Sequence, residues 1–219
     1  MSLQKHRAML EDGIAQIDSQ LPSLKLNTDQ IAQLLSYGEL ILKWNKVYNL
    51  TAIRSEQEVI THHLLDSLAV VPLLDKVLEN QTNPRVLDVG SGAGLPGLVI
   101  AICRPHWTVH TLDTVQKKAA FMQQACGSLK LQNAQSIHQR VEQYLPEHAY
   151  DLICSRAFSS MENFIELSHH LLAENGVFAA LKGKLDVDKN IPEAWQLQQL
   201  IQVNVPFLPG ERHLFLIKR

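Results

Sequence analysis

The sequence predicts an α/β protein, an open, mostly parallel, doubly wound sheet preceded by a helical segment of about 80 residues. Three observations predict it. From Arg85 onward, short apolar runs alternate with helix-period patterns. Before Arg85 only helical patterns occur, and residues 1–80 are read as a helical cap on a core of residues 81–219. Near the end, Leu200 to Val205 and Arg212 to Lys218 read as two strands joined by a Pro209-Gly210 turn, with no helix between them.

The helical part begins with Leu3 to Ile17, apolar at helical spacing, and breaks at Pro22 and Asn27. Asn27 with Gln30 forms a capping box for a long helix whose face is Ile31, Leu34, Leu35, Ile41 and Leu42. Ser55 with Glu58 repeats the signal for a helix over Val59 to Leu65, and a short helix ends near Leu78. The polar stretch Glu79 to Pro84 is the hinge. Beyond it come strands at Arg85 to Val89, Trp107 to Leu112, Ala134 to His138, Tyr150 to Ser155 and Gly176 to Lys182. Helices are expected over Thr114 to Lys130 and Met161 to Leu172.

The stretch that decides function is Arg85 to Gly97, R-V-L-D-V-G-S-G-A-G-L-P-G. A strand ends in an acid, glycines follow at every second position (Gly90, Gly92, Gly94), and a helix starts. Such a turn tolerates positive φ and leaves no Cβ between backbone and ligand, so a nucleoside can lie directly on it. Gly92 to Gly97 is also a literal G-x-G-x-x-G, which suggests a dinucleotide and an NAD-dependent oxidoreductase. Asp88 argues otherwise: a carboxylate faces a pyrophosphate unfavourably but attracts the cationic sulfonium and ammonium end of S-adenosylmethionine. The long helical lead and the closing antiparallel hairpin point the same way, the hairpin being typical of class I methyltransferases. The reading is therefore a Rossmann-like, seven-stranded methyltransferase core with S-adenosylmethionine as cofactor.

Composition sets bounds. With 46% hydrophobic and 19% charged residues the chain is an ordinary globular protein. Neither a leader pattern nor a long apolar run occurs, so a cytoplasmic location without a membrane partner is expected. Cys103, Cys126 and Cys154 are scattered and odd in number, which indicates neither disulfides nor a zinc site. Metal binding is not expected either: His62 and Asp66 form a helical i,i+4 pair with no evident third ligand. The net charge of −2 excludes strong, indiscriminate affinity for naked nucleic acid and leaves room for a local basic patch. Nothing resembles an obligate dimer seam.

Ligands of an open α/β sheet bind outside the carboxyl ends of its strands, so the residues there are the candidates. Asp113 ends the second strand and can accept from both ribose hydroxyls, or cap the helix that follows. After the third strand, the Val141 amide and the Glu142 carboxylate can read adenine, or Glu142 is simply a first-turn helix acid. After the fourth stand Ser155, Arg156, Ala157 and Phe158. This is neither the Asn/Asp-Pro-Pro-aromatic motif that holds an exocyclic amine nor a cysteine nucleophile, since Cys154 lies inside the strand. The remaining acceptor class is an atom with a free lone pair, such as guanine N7. Arg156 and Lys182 are the strand-end cations. Arg156 can pair with a carboxylate of the cofactor or of a neighbour, and Lys182, the candidate catalytic residue, can neutralise a phosphate or guanine O6.

Eight blocks carry a resemblance: Trp44 to Thr51, His63 to Ser67, Leu87 to Gly97, Leu112-Asp113, Arg140-Val141-Glu142, Ser155 to Phe158, Ala180 to Gly183 and Gly210 to Leu214. Together they resemble the RsmG family, also called glucose-inhibited division protein B, the bacterial 16S rRNA guanine-N7 methyltransferases. The resemblance implies cofactor contacts at Gly90, Leu95, Val141, Glu142 and Arg156. It also implies guanosine 527 of 16S rRNA as the target, presented on a small ribosomal subunit. Lys43, Lys46, Arg54, Lys182, Lys184, Arg212 and His213 are the candidate RNA face. A non-catalytic ribosome-assembly factor with the same fold is the remaining alternative.

Overall fold

The computed structural model describes residues 2–156, 158, 160–183 and 191–219. A 3₁₀ turn, Leu3–His6, leads into α1, Arg7–Gln20. The Asn27/Gln30 capping box forms and starts α2, Thr28–Tyr48. The Ser55/Glu58 box also forms, but the helix it starts is composite: α3, Glu56–Glu58, a π-helix, Val59–Leu65, and α4, Asp66–Leu68, in succession. Then follow α5, Val71–Val77, and β1, Arg85–Val89. Next come α6, Gly97–Cys103, β2, Thr108–Asp113, α7, Gln116–Ser128, and β3, Ala134–His138. The chain continues through a 3₁₀ turn, Val141–Gln143, to β4, Tyr150–Ser155, and α8, Met161–Ser168. Last are β5, Leu172–Lys182, β6, Gln196–Gln202, and β7, His213–Lys218.

The sheet has seven strands in the order β3-β2-β1-β4-β5-β7-β6. The first five run parallel, and β7 is antiparallel to both its neighbours. Strand order reverses between β1 and β4, the switch point outside which such sheets bind ligands. Side chains alternate between the faces. Val86, Val109, Leu152, Val177 and Leu214 join a cluster with α1, α2, α6 and α7. Leu87, Leu112, Ile153, Phe178 and Phe215 pack instead on Met161, Phe164 and Ile165 of α8. The N-terminal helices thus share one apolar cluster with a face of the sheet. No helix among the described residues is long and apolar enough to cross a membrane.

Several boundaries differ from expectation for local reasons. The helix after β2 starts at Gln116 rather than Thr114, because Asp113 Oδ1 accepts the Val115 N–H at 2.8 Å and holds that residue extended. It ends at Ser128 because Lys130 is left-handed. The helix begun at Met161 closes at Ser168, and a 3₁₀ turn over His169–Leu171 fills the rest. β5 begins at Leu172, before a register shift that brings Val177 opposite Leu152. β6 lies four residues earlier than expected, at Gln196, as a mostly exposed edge strand.

Candidate active site

The glycine turn is held from below and above. Gly90, Gly92 and Gly94 all have positive φ, at 70°, 60° and 83°. Gly90 and Ser91 donate backbone N–H to Leu112 O, locking the turn to the end of β2. From α2, Tyr37 Oη donates to Ala93 O. A Cβ on Gly94 would lie 2.7 Å from Leu98 Cδ1, and one on Gly97 2.6 Å from Thr111 Cγ2, so these two glycines serve close packing. At Gly92 a Cβ would meet no atom nearer than Gly90 O at 4.0 Å, so this glycine faces open space.

Asp88 lies beneath the turn rather than on it. It is fully buried; Oδ2 accepts the Gly97 N–H at 2.9 Å and, among the described residues, Oδ1 has no partner. A carboxylate so placed anchors the start of α6. Burial pushes its pKa from 3.8 up to about 6. The native state therefore holds this proton longer than the unfolded chain, and the stability it adds at acid pH is lost as pH rises through about 6. Asp88→Asn keeps an oxygen for Gly97 and has no charge to bury. In urea unfolding from pH 4 to 7.5 the variant should gain about 2 kcal/mol relative to the parent. Parallel pH profiles would contradict this.

Outside the ends of β1 and β2 lies a cavity of about 270 Å³ lined by Gly90, Leu112, Asp113, Val141, Glu142 and Phe158, among others. Asp113 is buried, with Oδ2 accepting the Gly92 N–H at 2.9 Å and Oδ1 the Val115 N–H. Lys118 Nζ lies 3.8 Å from Oδ2, and of the carboxylate's roughly four acceptor positions at least one is left for a ligand. Glu142 pairs with Arg140 at 3.4 Å at the rim. Apolar walls with a carboxylate beside the glycine turn fit a nucleoside with a free ribose diol.

A second cavity, about 280 Å³, is lined by Asp66, Arg156, Lys182, Gly183, Arg212 and His213, with Val70, Leu181 and Val203. Arg156 lines this cavity and Phe158 the first, and Lys182 Nζ, from this cavity, donates to Phe158 O. Asp66 takes Arg156 Nη1 at 3.2 Å and Arg212 Nε at 2.9 Å. Nearby, Asn45 accepts Thr51 N–H and donates to Ile53 O, while His63 Nε2 meets Thr51 Oγ1 at 3.0 Å. Burial, with the Arg156 charge second, lowers the His63 pKa to about 4. His213 is buried, and among the described residues its Nδ1 has no partner.

Residues 30–215 match the family described as GidB, rRNA small subunit methyltransferase G. The chain belongs to that family. A "Ribosomal RNA small subunit methyltransferase G" from Azoarcus sp. (strain BH72) is 48% identical over 99% of this chain and 98% of its own. The Methylobacillus flagellatus protein of the same name is 44% identical over 95% and 96%. Among solved structures, a precorrin-6y C5,15-methyltransferase from Geobacter metallireducens has a TM-score of 0.51 at 17% identity, covering 68% of this chain and 85% of that one. The putative methyltransferase yhhF from Escherichia coli has a TM-score of 0.52 at 16%, covering 68% and 83%. These two share the fold.

GidB family membership sets aside the dinucleotide reading, and the packing roles of Gly94 and Gly97 account for the literal G-x-G-x-x-G. In this GidB chain the expected cofactor residues fall into three groups. Gly90, Asp113, Val141 and Glu142 meet around one cavity, Arg156 lines the other, and Asp88 and Leu95 are buried in the turn's underside. The expected RNA cations also divide. Lys182, Arg212 and His213 line the Arg156 cavity. Lys46 and Arg54 line a separate cleft at the end of α2, and Lys43 shares a third with Lys46. Lys184 and Ala157 lie outside the described residues. Cys154 is fully buried and burial pushes its thiol well up, as befits a core residue. Trp44 is half-buried and packs against the core, edge-on to Phe121 at 5.5 Å. The sequence did not reveal Asp66 as the partner of two arginines. The available signal is an acid in the His63 to Ser67 block, which by its spacing from His62 reads as a helical i,i+4 pair.

Proposed function

We propose that the chain transfers the methyl group of S-adenosylmethionine to N7 of a guanine in small-subunit rRNA, acting in the cytoplasm, with guanosine 527 as the target the resemblance implies. The observation that carries the reading is the pair of cavities linked by the Lys182–Phe158 hydrogen bond, one with apolar walls and the Asp113 and Glu142 carboxylates, the other lined by Arg156, Lys182 and Arg212. Donor and acceptor can then lie side by side at the sheet's switch point.

When bound, the cofactor supplies an electrophilic methyl group. The protein's part is to bind and orient. Gly92 leaves room for the nucleoside, Asp113 accepts from the ribose hydroxyls, and the Val141 amide with Glu142 reads the adenine edge. Arg156 holds the carboxylate of the methionine end. On the acceptor side Lys182 and Arg212 donate to guanine O6 or the adjoining phosphate, and Lys43, Lys46, Arg54, Lys184 and His213 extend the RNA face. Guanine N7 has a free lone pair, so no base and no covalent enzyme intermediate are required. Catalysis is then mainly alignment of the two reactants, an effect that reaches about 7–11 kcal/mol in well-oriented systems.

Equilibrium binding tests the donor half: S-adenosylmethionine should bind and NAD should not, and the reverse would overturn the reading. Salt tests the acceptor half. The KM for unmethylated small subunits should rise steeply with salt as counterions are retained on the RNA. A KM unchanged across the titration would remove the cationic residues from the interface.

A further inference from the structure

We infer that Asp66 is the positioning residue of both ligand sites, a single buried carboxylate that sets Arg156 for the cofactor and Arg212 for the RNA. The inference rests on the roles proposed above for those two arginines. The Asp66 side chain is 7% exposed and its oxygens are divided: Oδ2 faces Arg156 Nη1 and Oδ1 accepts from Arg212 Nε. The three residues come from the N-terminal helices, the end of β4 and the turn into β7, so one side chain ties three remote segments together.

The carboxylate itself is fixed. Asp66 follows directly on the π-helix, and its N–H donates back to Thr61 O and His63 O. Helical stretches of that wide register are frequent at functional sites. Leu64, Leu65 and Ser67 on either side are fully buried, so the segment cannot swing. Among the described residues Arg156 is engaged only through Nη1, to Asp66 and to Ser67 Oγ at 3.4 Å, which leaves Nε and Nη2 for a ligand. Arg212 is held through Nε by Asp66 and through Nη1 by Glu211 O, which leaves Nη2. Both guanidinium groups line the same cavity. Without Asp66 each becomes a long side chain with several rotatable bonds, and ordering it must then be done at the expense of ligand affinity.

Two accounts of this carboxylate predict opposite signs. A negative charge beside two anion-binding arginines repels an arriving carboxylate or phosphate, so as a mere charge its removal tightens both ligands. As a positioning group its removal loosens both. The test uses the full chain with Asp66→Asn and Asp66→Glu, the second keeping the charge but displacing it by one methylene. Arg156→Gln and Arg212→Gln serve as references. Cofactor affinity is read by calorimetry and the KM for unmethylated small subunits at saturating cofactor.

Asp66→Asn should weaken both about tenfold. Asp66→Glu should weaken both by less, and it carries the test if the asparagine variant does not fold. Arg156→Gln should act mainly on the cofactor and Arg212→Gln mainly on the subunit. Combining either Asp66 variant with Arg212→Gln should give a subunit KM no worse than Arg212→Gln alone, because both act through one group. Tightening or no change with Asp66→Asn, parental behaviour with Asp66→Glu, or additive double variants would overturn the inference. A cofactor affinity untouched by Arg156→Gln would instead overturn the assignment of Arg156.

Discussion

Gly92→Val is expected to abolish S-adenosylmethionine binding, lowering affinity by more than about 100-fold. Two causes combine. Gly92 has φ 60°, a conformation that costs a β-branched residue roughly 1–3 kcal/mol. The added side chain would also project into the open space above the turn, where the nearest atom beyond the chain neighbours is Gly90 O at 4.0 Å. Strain and occlusion can be separated with Gly92→Asn, since asparagine tolerates the left-handed region far better. If occlusion dominates, the asparagine variant keeps most of its thermal stability and still loses the cofactor. Retained affinity in either variant would show that nothing needs to lie on the turn.

Asp113→Asn should have the next largest effect, about a 100-fold loss of cofactor affinity with a stability loss of about 1–2 kcal/mol. Both Asp113 oxygens already accept backbone N–H groups, from Gly92 and Val115. An amide offers one acceptor atom and one donor, so whichever way it turns, an NH₂ confronts one of those donors. The turn and the start of α7 then separate from each other, and the site for the ribose diol goes with them. Calorimetry with S-adenosylmethionine and thermal unfolding measure the two parts. Full affinity in a folded Asp113→Asn protein would reduce Asp113 to a structural link between the glycine turn and α7.

Much of this was legible because it is local. The Asn27/Gln30 and Ser55/Glu58 boxes form as their spacing requires, and β1 and β3 occupy the ranges their apolar runs mark. The candidate site was legible where a strand end dictates it: Asp113, Val141 and Glu142 meet because parallel strands bring their carboxyl ends to one edge. The π register of Val59–Leu65 was not, since an apolar period does not distinguish a four-residue from a five-residue hydrogen-bond step. Nor was the Asp66–Arg212 bond, whose partners lie 146 residues apart. Asp88 misled because an acid at the end of β1 reads as facing the ligand. Its strand register instead turns it under the helix that follows. β6 was misplaced because its glutamine-rich, solvent-facing sequence hides an edge strand behind polar composition.

The central claim is methyl transfer to one guanine of small-subunit rRNA. The most direct measurement incubates the protein with labelled S-adenosylmethionine and unmethylated small ribosomal subunits, with naked 16S rRNA alongside, and maps the product by chemical cleavage at 7-methylguanosine. The account predicts label at a single guanine, with the subunit, on which the resemblance places the target, preferred over naked RNA. Cofactor binding with no label in either substrate would contradict it and leave the fold serving ribosome assembly without turnover.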